Sequence, residues 1–132
     1  VKIIVDTNVL VRAAVRDDET QARAASRLLT EAEFIAVSLT CLCEFVWVLR
    51  GVYKIGSRDI AAAIEALLDT ANVVVNRQAV EAGLAMLEAG GDFAGGLIDY
   101  EGRWLGGDEF VSFDEKAVAL VAAGGQKARL PS

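Results

Sequence analysis

Lys2-Ile3-Ile4-Val5-Asp6-Thr7-Asn8 is an apolar run that ends abruptly on a carboxylate and two small polar residues. Behind Lys2, the three consecutive apolar residues Ile3-Ile4-Val5 read as a strand covered on both faces, as in a parallel sheet. The same pattern recurs downstream. Phe34 to Val37, Asn72 to Val75 and Phe110 to Phe113 are further apolar runs, and Ala128 to Leu130 adds a short fifth. Between them lie longer periodic segments. Ile60, Ala63, Ile64, Leu67 and Leu68 form an i, i+3, i+4, i+7, i+8 stripe behind a candidate cap, Ser57. Val80, Leu84 and Leu87 repeat the stripe up to Gly90-Gly91, where a helix should stop. Residues 17 to 31 and Asp114 to Ala123 read as two more helices. Alternating strands and helices predict an α/β fold: a three-layer α/β/α sandwich around a central, mostly parallel sheet.

The chain has 132 residues, which suits one domain over residues 1–132. Its 54% hydrophobic content is ample for a core and excludes disorder. The longest nearly uncharged stretch, Phe34 to Leu49, is interrupted by Glu44 and is short for a membrane span. No basic, apolar and small-residue leader precedes the first strand, so the expectation is a cytoplasmic protein that is not secreted. There is no histidine, which removes imidazole acid–base chemistry and the usual zinc sites. Cys41 and Cys43, with no other cysteine, read as reduced, buried filler. Thirteen Lys and Arg against nineteen Asp and Glu give a net charge of −6. A protein that grips nucleic acid with a broad basic face has the opposite balance. Contact with a phosphate backbone would need cations from a metal, a partner or a few placed arginines.

Ligands of open parallel sheets sit beyond the carboxyl ends of the strands. Asp6 ends the first strand and Asp114 the fourth. Each also precedes a helix and could serve as its N-cap, a role compatible with facing the same edge. From Leu39 to Leu49, Glu44 is the only charge on a helix that is apolar nearly all round. Such a helix should be packed on most sides, so Glu44 must be paired, metal-bound or protonated. The structural alternative is an ion pair with Arg12 or Arg50. Asp92 is a cap or ligand candidate, and Asp99 lies two turns on. Gly95-Gly96 inside that helical stretch cost roughly 1 kcal/mol each relative to alanine, a violation typical of functional or altered sites. Two carboxylates about 4 Å apart, in an effective dielectric of about 20, repel by about 4 kcal/mol. A hard divalent cation relieves this, and oxygen-only ligands favour Mg²⁺ or Mn²⁺ over zinc.

Val5-Asp6-Thr7-Asn8, Glu44 within Leu42 to Leu49, Gly91-Asp92-Phe93-Ala94 and Val111-Ser112-Phe113-Asp114 occur in an order that resembles the PIN-domain ribonucleases, and more closely the VapC toxins of toxin–antitoxin pairs. The resemblance implies an endoribonuclease that cleaves single-stranded RNA with Mg²⁺ or Mn²⁺, leaving a 5′-phosphate and a 3′-hydroxyl. It assigns Asp6, Glu44 and Asp114 to the acidic catalytic site, with Asp6 and Asp114 as metal ligands and Asp92 as the candidate third. Thr7 and Asn8 support the first carboxylate. It further implies a homodimer and a VapB-like antitoxin whose basic segment enters the acidic pocket. Operator DNA would be met only through that antitoxin.

One position departs from the pattern. Gly95 stands where the family carries a metal-binding aspartate, and Asp92, one turn earlier, is the nearest substitute. Together with Val1 in the first position, this points to a natural degenerate toxin or one with its site disabled. The alternative function is a catalytically dead PIN domain that binds antitoxin and acts as co-repressor. A receiver-like protein would need an aspartate after the third strand, where Asn76 stands, and a haloacid-dehalogenase-type phosphatase would need one in place of Asn8. Trp47, Tyr53, Tyr100 and Trp104 read as core or dimer interface, with base stacking the lesser reading and a groove for an antitoxin helix close behind it. Arg12 and Arg16, one turn apart, are the best candidates for phosphate contact.

Overall fold

A computed structural model describes residues 1–132, which form two compact units, Val1–Arg77 and Gln78–Ser132. In the first unit β1 (Lys2–Ile4), β2 (Phe34–Ala36) and β3 (Val73–Val74) pair in parallel in the order β1-β2-β3. Ile3 lies opposite Ile35, and Ile35 opposite Val73, which centres the ladder on the fully buried Ile35. In the second unit β4 (Phe110–Val111) and β5 (Ala128–Arg129) form a separate parallel pair. All five apolar runs are strands, each shorter than its run, and all pairing is parallel. The fold is α/β, with a three-stranded parallel sheet in the first unit and a two-stranded parallel sheet in the second.

The expectation of strands covered on both faces holds best for β2. β1 is the edge of its ladder, and Ile4 is 85% exposed. The run pattern therefore identified the strands correctly but overstated their burial.

The helices of the first unit are α1 (Thr7–Ala14), α2 (Glu19–Glu31), α3 (Leu39–Gly51) and α4 (Ser57–Leu68). α1 packs on both α2 and α3, and α3 on α4. Local chemistry starts three of them: Asp6 accepts from Thr7 N, Asp18 from Gln21 N and Ser38 from Cys41 N. Such caps each stabilise a helix by about 1 kcal/mol. Ser57, expected as the cap of α4, is instead its first residue. Gly56 takes the cap position, and the Ser57 hydroxyl is engaged with Arg50 at 2.7 Å.

In the second unit, α5 (Arg77–Glu88, its first residue closing the first unit), α6 (Phe93–Trp104) and α7 (Glu115–Ala123) follow in order. α5 ends before Gly90, whose φ of +94° is a left-handed conformation that favours glycine. A Cβ on Gly96 of α6 would stand 2.5 Å from the Ala82 carbonyl oxygen of α5. Gly96 is therefore required by helix packing. Phe93 fills the space beside Gly83, and both are buried.

Candidate functional site

α3 decides the geometry of the site. Cys41, Leu42, Phe45, Val46 and Leu49 form its buried stripe. Glu44 and Trp47, one turn apart, lie on the opposite, exposed face. The helix is thus packed on one side, and Glu44 is not the buried charge that its apolar neighbours suggested. Apolar composition misled here because Trp47 (70% exposed) and Val52 (60%) face solvent.

Glu44 meets Asp6 through Thr7. The Thr7 hydroxyl donates to Glu44 Oε1 at 3.0 Å, while the Thr7 backbone N–H donates to Asp6 Oδ1 at 2.7 Å. One residue thereby ties the carboxylate at the end of β1 to the carboxylate of α3. The Cys41 thiol lies 3.8 Å from the same hydroxyl. Burial pushes its pKa up; the Thr7 hydrogen bond opposes this, and the charges of Asp6 and Glu44 add to it. Neither carboxylate is in an ion pair. The cations expected for Glu44 are occupied elsewhere: Arg12 bonds Asp17 at 3.0 Å, and Arg50 bonds Ser57. Two adjacent carboxylates without a neutralising side chain favour an added cation.

Both face a cavity of about 540 Å³ walled by α1 and α3. Asn8 and Arg12 line it from α1; Trp47, Val48, Val52 and Tyr53 line it from α3 and the turn beyond. Thr7 is the residue that holds the first carboxylate, whereas Asn8 lines the cavity. Arg12 donates through Nε to Gln21 at 2.6 Å and through Nη1 to Asp17 and Tyr53. The Tyr53 hydroxyl also donates to Asp17 at 2.9 Å. That bond, together with the charge of Arg12, outweighs desolvation and holds the Asp17 carboxyl below its ordinary range. Arg16 turns onto α2 instead, bonding Ser26 and Glu19. Trp47, expected in the core or an interface, is instead exposed one turn from Glu44, and the joining of Arg12 and Tyr53 through Asp17 carried no sequence signal.

In the second unit Asp114 caps α7, accepting from Ala117 N at 3.1 Å. Asp92 takes the cap position of α6 without a side-chain cap hydrogen bond. Asp99 is neutralised by Arg103 at 2.9 Å, so it is not an open ligand. A Cβ on Gly95 would meet nothing within 4 Å.

In neither unit do three acidic or thiol side chains gather as a metal-binding group. The Asp6–Glu44 pair offers hard oxygen donors of the kind Mg²⁺ and Mn²⁺ take, and so fits such an ion in chemistry while supplying only part of a shell. Magnesium commonly keeps several waters and takes one or two protein carboxylates. No helix is long and apolar enough to cross a membrane.

A sequence model of the PIN domain matches residues 3–100, a span that includes Asp6, Glu44, Asp92 and Gly95. Among curated proteins none matches the chain. PIN domains are generally metal-dependent nucleases.

Proposed function

The chain belongs to the PIN-domain family, and we propose that it is a Mg²⁺- or Mn²⁺-dependent endoribonuclease of the toxin type, acting on single-stranded RNA. The observation that carries this reading is the carboxylate pair, Asp6 and Glu44, joined through Thr7, facing an open cavity and in no ion pair, since Arg12 at the cavity wall is paired with Asp17. Asp6 and Glu44 would hold the ion. When bound, it offsets their charge, attracts the RNA phosphate to an acidic protein and lowers the pKa of a water. Thr7 fixes both carboxylates so that they need not reorganise when substrate arrives. Asn8 supplies an amide for a phosphate or sugar oxygen. Asp114 is nominated as a further ligand and catalytic residue by its match to the family pattern, and Asp92 as a ligand only because it is the nearest substitute for the aspartate missing at position 95.

The finer biology is proposed on the same footing: a homodimeric, cytoplasmic toxin silenced by a VapB-like antitoxin, which alone contacts operator DNA. The net charge of −6 and the unneutralised carboxylates suit a basic antitoxin segment. Gly95 favours a weakened form, or in the limit the antitoxin-binding module without catalysis, because it places no donor where the family has one.

The test is cleavage of single-stranded RNA with Mn²⁺ by the natural chain and by Gly95→Asp. The open space at position 95 admits the new side chain, and the variant is expected to cleave at least tenfold faster. Chelation or Asp6→Ala should abolish the gain. An inactive Gly95→Asp variant across a broad RNA pool would refute the nuclease reading and leave the binding module.

A further inference from the structure

The cavity beside the carboxylates has two unlike walls. The α1 wall is polar: Asn8 and Arg12, one turn apart, are about 6 Å from each other along the helix. The α3 wall runs from Glu44 to the indole of Trp47 and on to the apolar Val48 and Val52. Trp47 is 70% exposed, so neither core packing nor a neighbour within the chain explains a tryptophan there. Arg12 is held rigidly through Nε and Nη1 by Gln21, Asp17 and Tyr53, which leaves its Nη2 amino group for a ligand. A single strand has a phosphate edge and a base edge, which match the two walls in chemistry.

Resting on the nuclease reading above, we propose that this cavity is the subsite for the nucleotide next to the cleaved bond, with its base stacked on Trp47 and its phosphate on Arg12. Trp47 then sets which part of an RNA is presented to Asp6 and Glu44. Stacking tolerates every base, so the subsite selects unpaired strands over duplexes rather than one sequence. The guanidinium is already ordered by Gln21, Asp17 and Tyr53, so a phosphate would meet Nη2 alone, as a single hydrogen bond from a fixed donor.

The test uses a 2′-O-methyl oligoribonucleotide of mixed sequence, in Mg²⁺ at low salt, with a gel to show that the probe stays intact. In a Trp104→Phe background the remaining tryptophan emission, excited selectively over tyrosine, reports Trp47 alone. Saturating probe should quench that emission. By fluorescence anisotropy of a labelled probe, Trp47→Ala should bind about tenfold more weakly or worse, and Trp47→Phe should keep most of the affinity. Arg12→Gln should weaken binding and flatten its salt dependence. Binding with unchanged emission and an unchanged Trp47→Ala affinity would overturn the subsite while leaving the nuclease reading intact. A dimer lost in Trp47→Ala, with RNA affinity unchanged, would also overturn it and make the face a contact between copies. No probe binding by the natural chain would overturn both readings.

Discussion

Helix α1 begins behind Asp6 and helix α6 behind Asp92, two aspartates in the same cap position, and the two starts are built differently. Asp6 is held by the Thr7 backbone N–H, and the Thr7 hydroxyl reaches Glu44, so capping and site-building use one residue. Asp92 makes no side-chain cap bond, and the first turn behind it carries no acidic residue. Instead that turn holds Gly95 and Gly96, which look alike in sequence and differ in structure. Gly96 touches α5 backbone so closely that a methyl group has no room, whereas Gly95 faces open space. A capping role therefore does not argue against function at Asp6. A glycine pair, for its part, does not have one cause.

The sharpest way to break this comparison is at the glycines. Gly96→Ala should destabilise the protein by about 1–3 kcal/mol, because Ala82 and Gly83 must shift to admit the methyl group. Urea melts of both alanine variants would check it; equal effects at 95 and 96 would erase the distinction.

At the other helix start, Asp6→Ala should cost about 1 kcal/mol through loss of the cap, while Asp6→Asn should cost far less and still lose the charge. Thermal melts paired with metal-dependent cleavage of the Gly95→Asp form would separate the two roles. Gly95→Asp itself should stabilise α6 by about 0.5 kcal/mol without metal, since it replaces glycine and puts a negative charge in the first turn. A drop in melting temperature would mean that position 95 is not open.

The smallest effect belongs to the Arg12–Asp17–Tyr53 cluster that supports the cavity. Asp17 has a depressed pKa in the folded protein, chiefly from the Tyr53 hydrogen bond. Its contribution is therefore complete above the ordinary aspartate pKa and disappears as pH falls through the depressed value. Asp17→Asn should be flatter than the natural chain in a stability profile across that acid range. Parallel profiles would remove Asp17 from the account of the cavity.

Much of the fold was legible because apolar runs and 3.6-residue stripes are local signals. The runs at Lys2, Phe34, Asn72, Phe110 and Ala128 all contain strands, and the stripe from Ile60 to Leu68 lies within α4. Exposure was not legible in the same way. Ile4 and Trp47 are apolar by type and exposed by position, because partners across a ladder or along a helix face, rather than neighbours in sequence, decide burial. The carboxylates Asp6 and Glu44 could be named from their places at a strand end and on an apolar helix. Their link through Thr7 could not, since a contact across 37 residues leaves no local pattern. The diversion of Arg16 to Glu19 and Ser26 was hidden for the same reason.

Mn²⁺ titration followed by electron paramagnetic resonance addresses the carboxylate pair directly, with no need for turnover or an RNA target. The natural chain should take up a saturable ion at low ionic strength, and Glu44→Gln should weaken that uptake about tenfold or more. Identical titration curves for the two proteins would contradict the assignment of Asp6 and Glu44 as the cation-holding pair.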